Sequence, residues 1–71
     1  MIDKEVIEKA RKYSLDNPAR FYILLSYTYN YKDEGPIDEW AIIPDSSPIP
    51  LEEEMSNIQI KHIFKNGEMI A

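Results

Sequence analysis

"RFYILLSYTYNY", residues 20–31, decides how this chain folds. At a period of two, Phe21, Ile23, Leu25, Tyr27, Tyr29 and Tyr31 fall on one side. Tyr22, Leu24, Ser26, Thr28 and Asn30 fall on the other. Aromatic and β-branched residues in this alternation specify a strand over about residues 20–32. The competing reading is a second helix, capped by Asn17 with Pro18 at its first position, because Phe21, Leu24 and Leu25 would then share a face. The clean alternation of the second half decides for the strand. Residues 21–25, however, are apolar on both sides, so both faces of the strand need cover there.

Downstream, "KDEGP" supplies turn chemistry, with Gly35 free to take a positive φ and Pro36 fixing its own. "IDEWAIIP" then reads as a returning strand that stops at Pro44, which has no N–H for a ladder. Trp40 and Ile42 go to one face of it, Ala41 and Ile43 to the other. Pro44, Pro48 and Pro50 stiffen the connector that follows. Within it, residues 51–56 can form a short helical turn, with Glu52, Glu53 and Glu54 at the positive end of its dipole. The last segment is a hairpin around Asn66 and Gly67, the strongest two-residue signal for a type I′ turn. That register sets Lys65 opposite Glu68 and Phe64 opposite Met69. Ile58, Ile60, His62 and Phe64 then share one face, and Gln59, Lys61 and Ile63 the other.

Upstream lies a helix. Ile2, Val6, Ala10 and Tyr13 recur at spacings of three and four, with Ile7 beside them. Asp3 is the expected N-cap, and Ile2 and Ile7 stand at the positions of a hydrophobic staple. Glu5 near the start and Arg11 and Lys12 near the end suit the dipole. Asn17 before Pro18 ends the helix near Leu15 or Asp16. The expected fold is therefore α+β: one domain over residues 1–71, an N-terminal amphipathic helix on an antiparallel sheet of two β-hairpins, in the order α-β-β-(short α)-β-β.

A chain of 71 residues without cysteine has neither disulfides nor cysteine-based metal sites, and must rely on a dense core or a partner. No segment reaches the roughly 20 apolar residues of a membrane helix. The chain opens on Met1 and an amphipathic stretch, so a complete, leaderless cytoplasmic protein is expected, with no membrane association. The net charge of −5 lacks the basic footprint that phosphate binding requires, so direct nucleic-acid binding is not expected. The richness in Ile, Lys, Asn, Glu and Tyr, with two glycines, points to an AT-rich genome such as that of a phage or prophage.

No catalytic, cofactor or metal motif stands out. His62 is the single histidine and alternates with Ile60 and Phe64, which reads as a half-buried sheet residue rather than a general base. The serines have no nucleophile signature, and both glycines are explained by turns, so no phosphate-cradling loop exists. The carboxylate pairs Asp33/Glu34 and Asp38/Glu39 flank a solvated turn. No enzymatic activity and no cofactor are expected.

One helix covers one sheet face, and the other should then be polar. Here it is not, and apolar surface of that extent usually marks an interaction site. A homodimer or another protein partner is the expectation. Tyr27, Tyr29, Tyr31, Trp40 and Ile43 are the expected interface, since Tyr and Trp anchor interfaces. Asp33, Glu34, Asp38, Glu39, Glu52, Glu53 and Glu54, with Asp45, form an acidic surface. A solvated coat is the simpler account of these charges. An inhibitor that mimics nucleic acid in a basic groove is the alternative, and a minor component of a larger assembly is a third. The leading reading is a non-enzymatic interaction or regulatory protein.

Overall fold

The computed structural model describes residues 4–49 and 51–71, so the expected cap Asp3, the staple partner Ile2 and Pro50 lie outside the described residues. Helix α1 runs over Lys4–Asp16. It ends where Pro18 requires: the Asn17 backbone N–H and side-chain amide both donate to the Tyr13 carbonyl, at 3.1 and 3.3 Å. The final turn carries no basic residue, because Arg11 and Lys12 stop one turn short of the carboxyl end. The inward line of α1 is fully buried Ala10 and Ser14 with half-buried Val6 and Ile7, while Tyr13 stays 42% exposed at its margin. Ser14 is polar yet fully buried, and both its roles are filled. Its hydroxyl donates to the Arg11 carbonyl at 2.7 Å and accepts from the Gly67 N–H at 2.9 Å. The helix is thereby clipped to the far hairpin turn.

The strands are β1 (Phe21–Tyr31), β2 (Gly35–Pro44), β3 (Met55–Lys65) and β4 (Glu68–Met69). They form one antiparallel sheet in the order β2-β1-β3-β4. Asn66 and Gly67 take φ of +50° and +80°, both positive as a type I′ turn demands. Phe64 faces Met69 and Lys65 faces Glu68, as the dipeptide signal implies. A Cβ on Gly67 would meet only the Leu15 side chain, which is 55% exposed and free to turn aside, so it is the positive φ that selects glycine there.

The core lies between α1 and one face of the sheet, where Phe64, Leu24, Tyr22 and Ala10 pack with Val6, Ile7, Trp40 and Ile42. We call this the helix side, and the opposite face the far side. Helix α1, at about 20 Å, is much shorter than the 11-residue β1, at about 36 Å. It covers Tyr22 and Leu24 and stops before Ser26 and Thr28. That is why the helix side of β1 turns polar halfway along.

Two expectations are corrected. First, β3 does not alternate evenly. Leu24 pairs with His62 but Leu25 pairs with Ile60, so Lys61 is an extra residue in a bulge. Ile60 is thereby moved to the far side and left 54% exposed, while His62 and Phe64 stay on the helix side. A second irregularity lies between Ser26 and Thr28, where Asn57 takes a φ of +53°. Asn tolerates this conformation better than most residues. Second, residues 51–56 are not helical among the described residues. The Met55 N–H bonds the Glu52 carbonyl at 3.0 Å in a turn, and β3 begins at Met55.

The connector answers what covers the far side. Strand β2 ends opposite Tyr22 and β3 begins opposite Tyr29, with β1 between them. Between Asp45 and Glu54 the chain must therefore cross β1 while advancing about 23 Å along it. The crossing starts where the Asp45 N–H bonds the Phe21 carbonyl at 2.9 Å and the Arg20 guanidinium donates to the Ser46 hydroxyl. It ends where the Asn30 N–H bonds the Glu54 carbonyl at 2.9 Å. Helix α1 occupies the other face, and Glu52 acts on Tyr27 and Tyr29 from the far side. Beneath the crossing, Leu25 is fully buried and Ile43 is 6% exposed, with Ile49 half-buried; Leu51 points away, 80% exposed.

Candidate interaction surface

Past Leu25 the far side changes character. Tyr27, Tyr29 and Tyr31 follow at alternate positions of β1, flanked by Glu39 and Ile37 on β2 and by Met55 on β3. The Tyr29 and Tyr31 rings stand 4.6 Å apart at 49°. The Tyr31 hydroxyl donates to Glu39 Oε1 at 2.5 Å. Glu52 and Glu54 reach the same place from the connector, which brings three carboxylates from two segments onto three phenols.

The phenols register this charge. Tyr31 is pushed up to about 12, first by its hydrogen bond to the Glu39 carboxylate, which only the protonated phenol can donate. Tyr29 is raised by partial removal from water, then by the charges of Glu52 and Glu54. Tyr27 is raised by burial, then by Glu39 and Glu52. A folded-state value above the unfolded one means that the neutral phenol is favoured by folding. This contribution is complete below pH 10 and is lost as pH rises through about 12. Spectrophotometric titration of the phenolates should therefore show a late-ionising group of tyrosines. Glu39→Gln should bring Tyr31 back towards 10; an unchanged titration curve would contradict the Glu39 contact.

Trp40 does not join the tyrosines. It pairs with Ser26, on the helix side, and packs against the core at the end of α1. There it borders an open depression of about 310 Å³ with Ser26, Thr28, Asp38, Gln59 and Lys61. Asp38 accepts from the Thr28 hydroxyl at 2.9 Å, and Lys61 Nζ donates to Gln59 at 2.8 Å. Ile43 is on the tyrosine side but at its covered end. The acidic set is thus divided. Glu39, Glu52 and Glu54 surround the tyrosines, Asp38 lies on the opposite face, and Asp33, Glu34 and Glu53 are exposed in turns.

His62 is half-buried, edge-on to Phe64 at 6.4 Å, with Nδ1 3.3 Å from the Ala71 carbonyl. Among the described residues no group of three or more His, Cys, Asp or Glu is arranged to hold a metal ion. Nor, among them, is any helix long and apolar enough to cross a membrane. Ile37, Met55 and Ile60 complete the apolar part of the far side and were not singled out from the sequence. The 31–35 closure of the first hairpin would have placed Ile37 opposite Tyr29; the other two depend on the distant β1–β3 pairing.

No family model, curated protein or solved structure matches this chain.

Proposed function

We propose that this protein works by binding another protein, without chemistry of its own, through the tyrosine and glutamate surface of the far side. One observation carries the reading: Glu39, Glu52 and Glu54 are gathered around Tyr27, Tyr29 and Tyr31, next to the exposed apolar Ile37 and Ile60. Tyrosine contributes contact area at low entropic cost and stacks on guanidinium groups, while the carboxylates complement positive charge. A partner segment bearing arginine or lysine is the chemistry that fits.

The experiment uses an extended peptide alternating arginine and serine, with its glutamate–serine counterpart as control. Binding of the basic peptide alone is expected. Tyr29→Ala should weaken it about 2- to 5-fold, the value of one exposed cation–π contact. Glu52→Lys should weaken it further, because a favourable charge becomes a repulsive one. Affinity that tracks the glutamates and salt but ignores Tyr29 would favour the alternative, an acidic mimic of nucleic acid. Equal binding of both peptides would refute the proposed surface.

A further inference from the structure

Strand β2 is an edge of the sheet, and its outer side has a definite pattern. The Asp45 N–H bonds the Phe21 carbonyl, and the β1–β2 register continues without a shift from there to Gly35. Backbone groups of 35, 37, 39, 41 and 43 therefore point at β1, and those of 36, 38, 40, 42 and 44 point outwards. Pro36 and Pro44 both fall on outward positions, where proline breaks no ladder bond. This leaves three outward donors, the N–H groups of Asp38, Trp40 and Ile42, with no backbone partner among the described residues. The slot is closed at both ends. Pro36 has no donor, and the Pro44 carbonyl already accepts the Ser47 N–H at 3.0 Å. Beside the slot runs a groove of about 290 Å³ between α1 and β2, lined by Val6, Lys9, Tyr13, Trp40, Ala41 and Ile42. Among the described residues the lining comes from α1 and β2 alone, which sets the groove towards the outer margin of the sheet.

An exposed edge of this kind is a template for one more strand. We propose that the strand is β2 of a second copy, added antiparallel about a two-fold axis at Trp40. The slot is self-complementary in that register. Trp40 meets Trp40, and Asp38 of one copy meets Ile42 of the other, so all six outward N–H groups of the pair find carbonyls. Pro36 then falls opposite Pro44, and the positions that lack a donor coincide. On the far side Ile37, itself 37% exposed, meets Ile43. On the helix side Asp38 is brought to the groove that holds Lys9 of the other copy, an opposite charge. The product is a continuous eight-stranded sheet with an isologous interface. It takes Ile37 from the margin of the tyrosine surface but leaves Tyr27, Tyr29 and Tyr31 uncovered, and its test reads β2 amides rather than peptide binding, so its failure is distinguishable from that of the proposed function.

Sedimentation at low and high protein concentration, joined to backbone amide exchange, tests this. A concentration-dependent dimer is expected, with added protection at Asp38, Trp40 and Ile42 and little change at Glu39 and Ala41. Asp38→Pro removes one outward donor that the monomer does not use. A synthetic chain N-methylated at the Trp40 amide does so without altering a side chain. Each takes two hydrogen bonds from the dimer and should weaken it about tenfold or more. Circular dichroism identical to the parent shows that the monomer fold is kept. A chain monomeric at high concentration overturns the proposal. So does a dimer indifferent to the N-methyl group, or one that protects other amides.

Discussion

Phe64→Ala should cost about 3–5 kcal/mol, measured by urea unfolding followed through Trp40 fluorescence. Phe64 has no exposed surface and sits at the centre of the helix-side core, against Ala10, Tyr22 and Leu24. One helix cannot close over the hole that its loss would leave, because α1 is held at a fixed height by the Ser14–Gly67 clip. A chain of this length has a total stability of only about 4–10 kcal/mol. The variant should therefore lose about a third of its stability or more, with its urea midpoint falling in proportion. A loss under about 1 kcal/mol would mean that α1 does not pack on the sheet as described.

Leu25→Ala should cost about 2–5 kcal/mol, and the cost should not depend on protein concentration. Leu25 lies on the face opposite the helix, yet none of it is exposed. The cover comes from within the chain, where the connector crosses β1 between the Asp45–Phe21 and Asn30–Glu54 hydrogen bonds, with half-buried Ile49 among its described residues. Were this face instead sealed by another molecule, dilute protein would scarcely notice the substitution, and concentrated protein would lose both stability and association. A small or concentration-dependent effect in the same urea experiment would thus refute the crossing connector.

What was legible in the sequence was what local chemistry fixes. Asn17 before Pro18 marked the end of α1, and Asn66 with Gly67 set the final turn and its pairing of Lys65 with Glu68. The alternation of β1 gave the strand within a residue at each end. What lay hidden depended on segments far apart in the chain. The pairing of β1 with β3 has no local signal, and the bulge at Lys61 that turns Ile60 over is marked by neither glycine nor proline. Glu52 and Glu54 reach the tyrosines only because the connector crosses on that side, and a helical reading of residues 51–56 concealed this. The separation of Trp40 from the tyrosines was within reach: closure of the hairpin at Tyr31 and Gly35 sets odd residues opposite odd, and so puts Trp40 with Ser26.

The far-side surface is the part of the fold that stability does not explain. Its end near Leu25 is closed by the connector, but its other end gathers phenols and carboxylates in reach of solvent. The direct measurement is a set of tyrosine ring-proton spectra recorded while the arginine–serine peptide is added. Tyr27, Tyr29 and Tyr31 are expected to shift together, while Tyr13 and Tyr22 at the helix stay in place. Shifts confined to the helix side, or none on the three phenols while the peptide binds, would contradict the proposed surface.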